Sequence, residues 1–379
     1  MKIKEENFSV HRKLDDKEIK NLTLLEHIRT KGPISRTDLS KLTQINMVSI
    51  SNYVKNYISK GIVSETGYDI SSGGRRAEML EVNVIENYVL GIELRAQEAV
   101  LVLTDLKLDI IEKVKTERQK DEDKFEVKLL YVIEDLFKRH NTAPDNVRGI
   151  GIGVSGDNDK CNSACSFIKE KLAREVFLGN DAKVAALGER TLNRDSGVDT
   201  LLYIYSHLGC GIVFRGNTYF GHDFTDGESQ PSMEAARYLR PWGFNLGIIK
   251  TSKSVVDKGV GTEMVRIAGG RAENITNDVI IEAAGKGDVA ALGIIETAGL
   301  NLGLRIAYLV NLFSPDVIMV GGGIEEAGDI IFNPIKKAVE RFASQSLQRS
   351  TKIMAGKLGE DAVSLGAASL AIREIFLSA

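Results

Sequence analysis

From Tyr88 onward the sequence states one pattern twice, and that repetition constrains the fold more than any other feature. Three β-prone runs come first, Tyr88–Leu94, Ala99–Thr104 and Ile110–Lys115. An amphipathic helix from about Lys124 to His140 follows, then the small-residue strand Gly149-Ile150-Gly151-Ile152-Gly153-Val154. A strand at Val176–Leu178 and a helix from Ala182 to Thr191 complete the first round. The second round has strands at Thr200–Tyr205, Gly211–Phe214 and Thr218–Phe220, with helices downstream. It ends in a long apolar helix from Asp288 to Leu312, a strand at Val317–Val320, the turn Gly321-Gly322-Gly323 and a helix around Ala327–Ser344. A helix from Ala362 to Phe376 closes the chain. Such a repeat predicts an α/β fold of two similar halves around a cleft. Ligands of such sheets gather at the carboxyl ends of strands.

The stretch ahead of the repeat has a different grammar. Ile19, Leu22, Leu25 and Ile28 recur at helical spacing between Asp15 and Lys31. Ser35, three residues before Asp38, starts a short second helix as a capping box. Asn46 is an N-cap for a third helix from Met47 to about Ser59, with Ile50, Val54 and Ile58 toward a core. Only Gln44 sits where the turn between them would favour glycine. Two short helices about a tight turn, the second bearing small polar side chains, suit major-groove reading. Ser49, Ser51 and Asn52 are the candidates for base edges and Lys55 for phosphate. Two further β-prone runs flank Ser71-Ser72-Gly73-Gly74-Arg75-Arg76 and predict a hairpin wing. Arg75 and Arg76 at its tip would enter a minor groove or hold phosphates.

Charge agrees with that division. Residues 1–80 hold 14 Lys+Arg against 10 Asp+Glu, a balance of +4, within a chain whose formal net charge is −3. A basic head on an acidic body fits nucleic acid at one end only. No apolar run approaches the ~20 residues of a membrane span, and the charged N-terminus lacks a signal-peptide core. Cys161, Cys165 and Cys210 are too few for a disulfide framework, and free thiols in the cytoplasm are expected.

With these residues in place the chain resembles the ROK family of repressors, open reading frames and kinases, in particular its repressor branch, which contains xylose and N-acetylglucosamine repressors. The marks are Ser71-Ser72-Gly73-Gly74-Arg75, Asn180-Asp181-Ala182 with Ala185-Ala186-Leu187-Gly188-Glu189, Val317 to Gly323, and Leu365-Gly366-Ala367-Ala368. The resemblance implies a winged helix-turn-helix on a two-lobed actin-like (sugar kinase/Hsp70-like) fold, assembled as a homodimer or homotetramer. The domains expected are a DNA-binding head over 1–82 and a first lobe over 83–195 to which 360–379 returns. A second, oligomerising lobe covers 196–359. The resemblance also makes Asn180 and Asp181 sugar contacts, with Glu228 and Glu234 as surviving pocket glutamates.

Its departures argue against catalysis. Kinase members carry Asp-x-Gly-Gly-Thr after the first strand, where this chain has Glu93-Leu94-Arg95-Ala96. Bulky side chains there would block the backbone N–H groups that cradle phosphate. The second phosphate turn is thinned to Ser206-His207-Leu208-Gly209-Cys210-Gly211. The family's zinc loop has lost its histidine and every cysteine between Glu228 and Glu234, so no structural zinc is expected there. The expectation is therefore a repressor of carbohydrate or polyol genes, with no enzyme activity, no cofactor and no membrane partner. It would bind double-stranded operator DNA and answer a sugar-like effector. A sugar kinase with a regulatory head and a regulator without an effector are the rival readings.

Overall fold

The computed structural model describes residues 14–68, 77–95, 98–117, 125–154, 159–192, 198–205, 209–214, 217–219, 247–344 and 351–379. The chain divides into two compact units, one running to Asn180 and including Val363–Ala379, the other Asp181–Ala362.

The first unit begins with helices α1 (Asp16–Lys31), α2 (Arg36–Thr43) and α3 (Met47–Ser59). With them lies an antiparallel sheet, in the order β1 (Ile34–Ser35), β3 (Glu78–Val82), β2 (Val63–Tyr68). The element order is the one expected of a winged helix, and the tip between β2 and β3, residues 69–76, lies outside the described residues. The complete capping box is at α1, where Asp15 and Glu18 each accept from the other's backbone N–H. At α2, Asp38 N–H donates to Ser35 Oγ as expected, but the Asp38 carboxylate takes the Ser35 hydroxyl rather than a backbone N–H. Gln44 has φ 59°, the left-handed conformation that glycine adopts at least cost.

The rest of the first unit is the sheet β6-β5-β4-β7-β8: β4 (Tyr88–Leu94), β5 (Glu98–Asp105), β6 (Ile110–Glu117), β7 (Val147–Val154) and β8 (Val176–Asn180). Strand β4 lies antiparallel to β5 and parallel to β7, so it is central and almost wholly buried. Helices α4 (Phe125–Arg139) and α5 (Asp159–Leu172) belong here, α5 being a helix that the sequence pattern did not signal. The closing helix α12 (Ala362–Leu377) packs against β4 and β7 at backbone distance. A Cβ on Gly151 would sit 1.8 Å from the Ala367 carbonyl oxygen, and one on Gly91 would sit 2.1 Å from that of Ser364. This explains Gly91 of β4 and Gly151 of β7.

The head does not hang from the first sheet by a free linker. Leu24, Leu25 and Tyr57 share one apolar core with Val89, Leu106, Ala371 and Phe376. Buried Asn21 donates to the carbonyls of Leu377 and Ala379, and accepts from the Tyr57 hydroxyl at 2.8 Å. Arg29 donates to the Lys107 carbonyl, and Arg148 to Asn87 and to the Lys60 carbonyl. Asn83 and Asn87, the ends of the connecting segment, both donate to the carbonyl of Gly61.

The second unit repeats the sheet, with order β11-β10-β9-β12-β13: β9 (Leu201–Tyr205), β10 (Gly209–Phe214), β11 (Asn217–Tyr219), β12 (Val317–Gly321) and β13 (Lys352–Ala355). Read from the first strand of each half, both sheets run third, second, first, fourth, fifth, the doubled architecture of the actin-like fold. Helix α6 (Asp181–Leu192) packs on β10. Helices α7 (Ile248–Asp257), α8 (Glu263–Ile267), α9 (Asn277–Gly285), α10 (Val289–Phe313) and α11 (Asp329–Phe342) complete the unit. Contrary to the sequence reading, α10 is long and apolar enough to cross a membrane by length and composition. One of its faces lies in the core. Leu302, Ile306 and Val310 are buried, and Gly299 and Gly303 let α11 approach, Gly303 facing the Ile335 backbone.

Candidate functional site

Helix α3 is the element on which the head's candidate site rests. Asn46 caps it, accepting from Ser49 N–H at 2.9 Å. Its buried face is Ile50, Val54 and Tyr57; burial pushes the Tyr57 hydroxyl pKa well above its ordinary value. The 3.6-residue period sets Val48, Ser51, Asn52, Lys55 and Ser59 on the opposite, exposed face. Ser49 stands on the flank and is half-buried. Ser51 donates its hydroxyl to the Met47 carbonyl at 2.9 Å, so toward any partner its oxygen can only accept. Of the four residues proposed on this helix, Asn52 and Lys55 are thus the ones presented outward with their donors available.

Arg36 fixes the base of the wing. Its guanidinium reaches Glu65 on β2 at 2.6 Å and Glu78 on β3 at 3.2 Å, holding the Glu65 carboxyl below its usual range. A cation at the start of α2 thereby ties both wing strands to the helices. Arg75 and Arg76 lie outside the described residues.

The second candidate site begins where the first unit ends. Asn180 is the last residue of β8, in register with Val154, and Asp181 is the first of α6. Both are buried, and one carboxylate oxygen of Asp181 accepts from Ala182 N–H at 2.7 Å. Asp181 therefore serves its own helix terminus, where a carboxylate also meets the favourable helix dipole. Glu228 and Glu234 lie outside the described residues.

The phosphate turns can be inspected at three places. After β4, Glu93 is buried and paired to Arg95 Nε at 2.6 Å, and Arg95 also pairs with Glu98. An internal ion pair fills the position where a phosphate-binding turn would expose bare backbone. On β10, a Cβ at Gly211 would sit 2.3 Å from the Ala182 carbonyl oxygen, so this glycine serves the packing of α6. Beyond β12, Gly322 and Gly323 take φ of 90° and 94°, a true turn. It leads to Glu325, whose burial pushes its carboxyl up to about 7, with the charges of Glu326 and Glu189 acting in the same direction. Glu189 itself is fully buried and accepts from the backbone N–H groups of Lys357 and Leu358.

Among the described residues no group of three or more His, Cys, Asp or Glu could hold a metal ion. Cys165 and Cys210 are buried and form no disulfide, and burial pushes the Cys210 thiol up to about 12.

A winged head and two sheets of like order define a regulator-type member of the actin-like superfamily of folds. The chain belongs to the ROK family, whose sequence profile matches residues 89–229 and 258–374. It is 28% identical to the xylose repressor of Caldicellulosiruptor bescii, over 95% of this chain and 96% of that one. It is 22% identical to the DNA-binding transcriptional dual regulator NagC of Escherichia coli, over 90% of this chain and 89% of that one. Among solved structures, a ROK family transcriptional regulator described as a homolog of E. coli MLC superposes with a TM-score of 0.73 at 26% identity, covering 96% of this chain and 98% of that one. A ROK family glucokinase from Streptomyces griseus matches at TM-score 0.62 and 19% identity, covering 75% of this chain and 99% of its own. That last likeness speaks to the fold alone.

Val48 also lies on the exposed face of α3, turned outward by the same period that buries Ile50 and Val54.

Proposed function

We propose that this chain is a cytoplasmic DNA-binding transcriptional regulator, a repressor of carbohydrate or polyol genes that responds to a sugar-like effector. The observation that carries the reading is the outward face of α3, with Asn52 and Lys55 opposite a fully buried apolar face, in a chain that matches the xylose repressor over 95% of its length. Asn52 supplies a donor and an acceptor for an adenine edge, and Lys55, Arg75 and Arg76 supply charge for phosphates. The chain acts without transferring phosphate; the Glu93–Arg95 pair argues against a cradle for a triphosphate in the first unit.

Asn180, Asp181, Glu228 and Glu234 are the proposed effector contacts, since carboxylates and amides accept and donate to hydroxyls without having to act as bases. A homodimer would set two α3 helices on a pseudo-palindromic operator. Its supporting observation is the exposed, uncharged stripe Leu300, Leu304, Tyr308 and Leu312 on α10. Together these offer roughly 400 Å² per copy, about half of the ~800 Å² each partner gives to a stable interface.

Selection of duplexes from a random library tests the reading. The wild type should enrich an inverted repeat, and Arg75→Ala with Arg76→Ala should flatten the salt dependence of its affinity by up to about two in slope. Absence of any enriched sequence at low salt would overturn DNA reading. For the effector, Asp181→Asn should keep operator affinity but abolish release by any sugar, amino sugar or cyclitol that releases the wild type. A mutant released like the wild type would leave Asp181 as a helix cap only.

A further inference from the structure

We propose that Val48 reads the 5-methyl group of a thymine in each operator half-site. The inference deepens the DNA-reading function proposed above and rests on it. Val48 is 73% exposed at the start of α3, and the helix's core face is Ile50, Val54 and Tyr57. A β-branched residue in that position lowers helix propensity, and its exposure means that little burial offsets the cost. Its two methyl groups stand at the centre of the outward face rather than at its margin.

The neighbours sharpen what it would meet. Asn52 lies one turn further along, four residues on, so the two side chains are about 5–6 Å apart along the face. Successive base pairs rise ~3.4 Å along the duplex, so the two side chains address base pairs one or two steps apart. Ser51, on the same face, has spent its hydroxyl proton on the Met47 carbonyl. Ser59 likewise donates to the Asn56 carbonyl, so beside two serine oxygens that can only accept, the face offers one amide, one ammonium and one branched apolar group. In the major groove only thymine presents a methyl for an apolar group to cover. The geometry thus points to a thymine within two base pairs of the adenine that Asn52 reads.

The test is a methyl deletion on both sides of the contact. Duplexes selected by the wild-type protein are remade with deoxyuridine at each thymine in turn, and affinities are measured for wild type and Val48→Ala. One thymine per half-site should be sensitive, its methyl's removal weakening wild-type binding about fourfold per half-site. Val48→Ala should bind the unmodified duplex about as weakly and be indifferent to that swap, with a melting temperature that is not lowered. Equal affinities of the two proteins for the unmodified duplex, or equal sensitivity of both to every uracil, would overturn the role of Val48 while leaving DNA reading intact. Failure of the wild type to select any duplex would overturn both.

Discussion

The two halves of the body share a strand order and differ in what their glycines do. In the first half, Gly91 and Gly151 admit α12 so closely that its backbone oxygens lie within 2.1 and 1.8 Å of where a Cβ would stand. That helix runs on to Leu377, where Asn21 of the head grips its end. In the second half, Gly211 admits α6 and Gly303 admits α11, while Gly322 and Gly323 form a turn after β12 with φ of 90° and 94°. A glycine-rich strand in this fold is thus first a seam between helix and sheet. The first half has used its seam to carry the head.

Breaking that seam should have the largest effect. Gly151→Val would drive side-chain atoms into the Ala367 backbone and cost upward of about 3 kcal/mol, as severe overpacking does. Because head and first sheet share a core, operator binding should fall together with the first unit's stability in urea titrations. Gly211→Val should destabilise the second unit without that direct loss. A head that keeps full operator affinity in Gly151→Val would separate what the shared core joins.

Next in size is a pH effect confined to the second half. The Glu325 carboxyl is raised in the folded state to about 7 from 4.5, so the folded chain holds a proton that the unfolded chain releases. Stability should therefore fall as pH rises across that window. Glu325→Gln should gain up to about 3 kcal/mol at pH 8 and almost nothing at pH 4, read from melts at both values. A gain independent of pH would remove titration from the explanation.

Smaller still is the bond between α3 and the closing helix's anchor. Tyr57→Phe removes the donor to Asn21 and should cost about 1–2 kcal/mol, because a buried acceptor is left wanting. The smallest effect is a gain in the head. Gln44→Gly should stabilise by up to about 1 kcal/mol, since Gln44 holds φ 59°. Loss of stability there would show that the Gln44 side-chain bond to the Lys41 carbonyl outweighs the backbone strain.

What the sequence made legible followed from periodicity. Strands β4 to β12 and α3 lie within a few residues of the sequence readings, whereas the short edge strand β13 (Lys352–Ala355) was not read from the sequence. The α10 helix was legible as a helix, but its membrane-like length of apolar residues went unremarked because two charges, Glu296 and Arg305, interrupt the run. Helix α5 was not legible, since Asp159–Leu172 mixes small and charged residues and has no strong apolar stripe. The anchoring of the head was invisible for a different reason. Asn21 meets Leu377 across 356 positions, and no local pattern encodes a contact at that separation. For the site, the helical period showed that Asn52 and Lys55 face outward on α3, but no pattern in the sequence shows that Ser51 gives its hydroxyl proton to the Met47 carbonyl.

In the function proposed above, a fold shared with sugar kinases serves a DNA reader that moves no phosphate. The most direct test incubates the intact protein with magnesium ATP and, in turn, glucose, xylose and N-acetylglucosamine, and measures sugar phosphate. The prediction is no product above the protein-free background, from a preparation that binds its selected duplex. Sugar phosphate formed in proportion to protein and to ATP would contradict it.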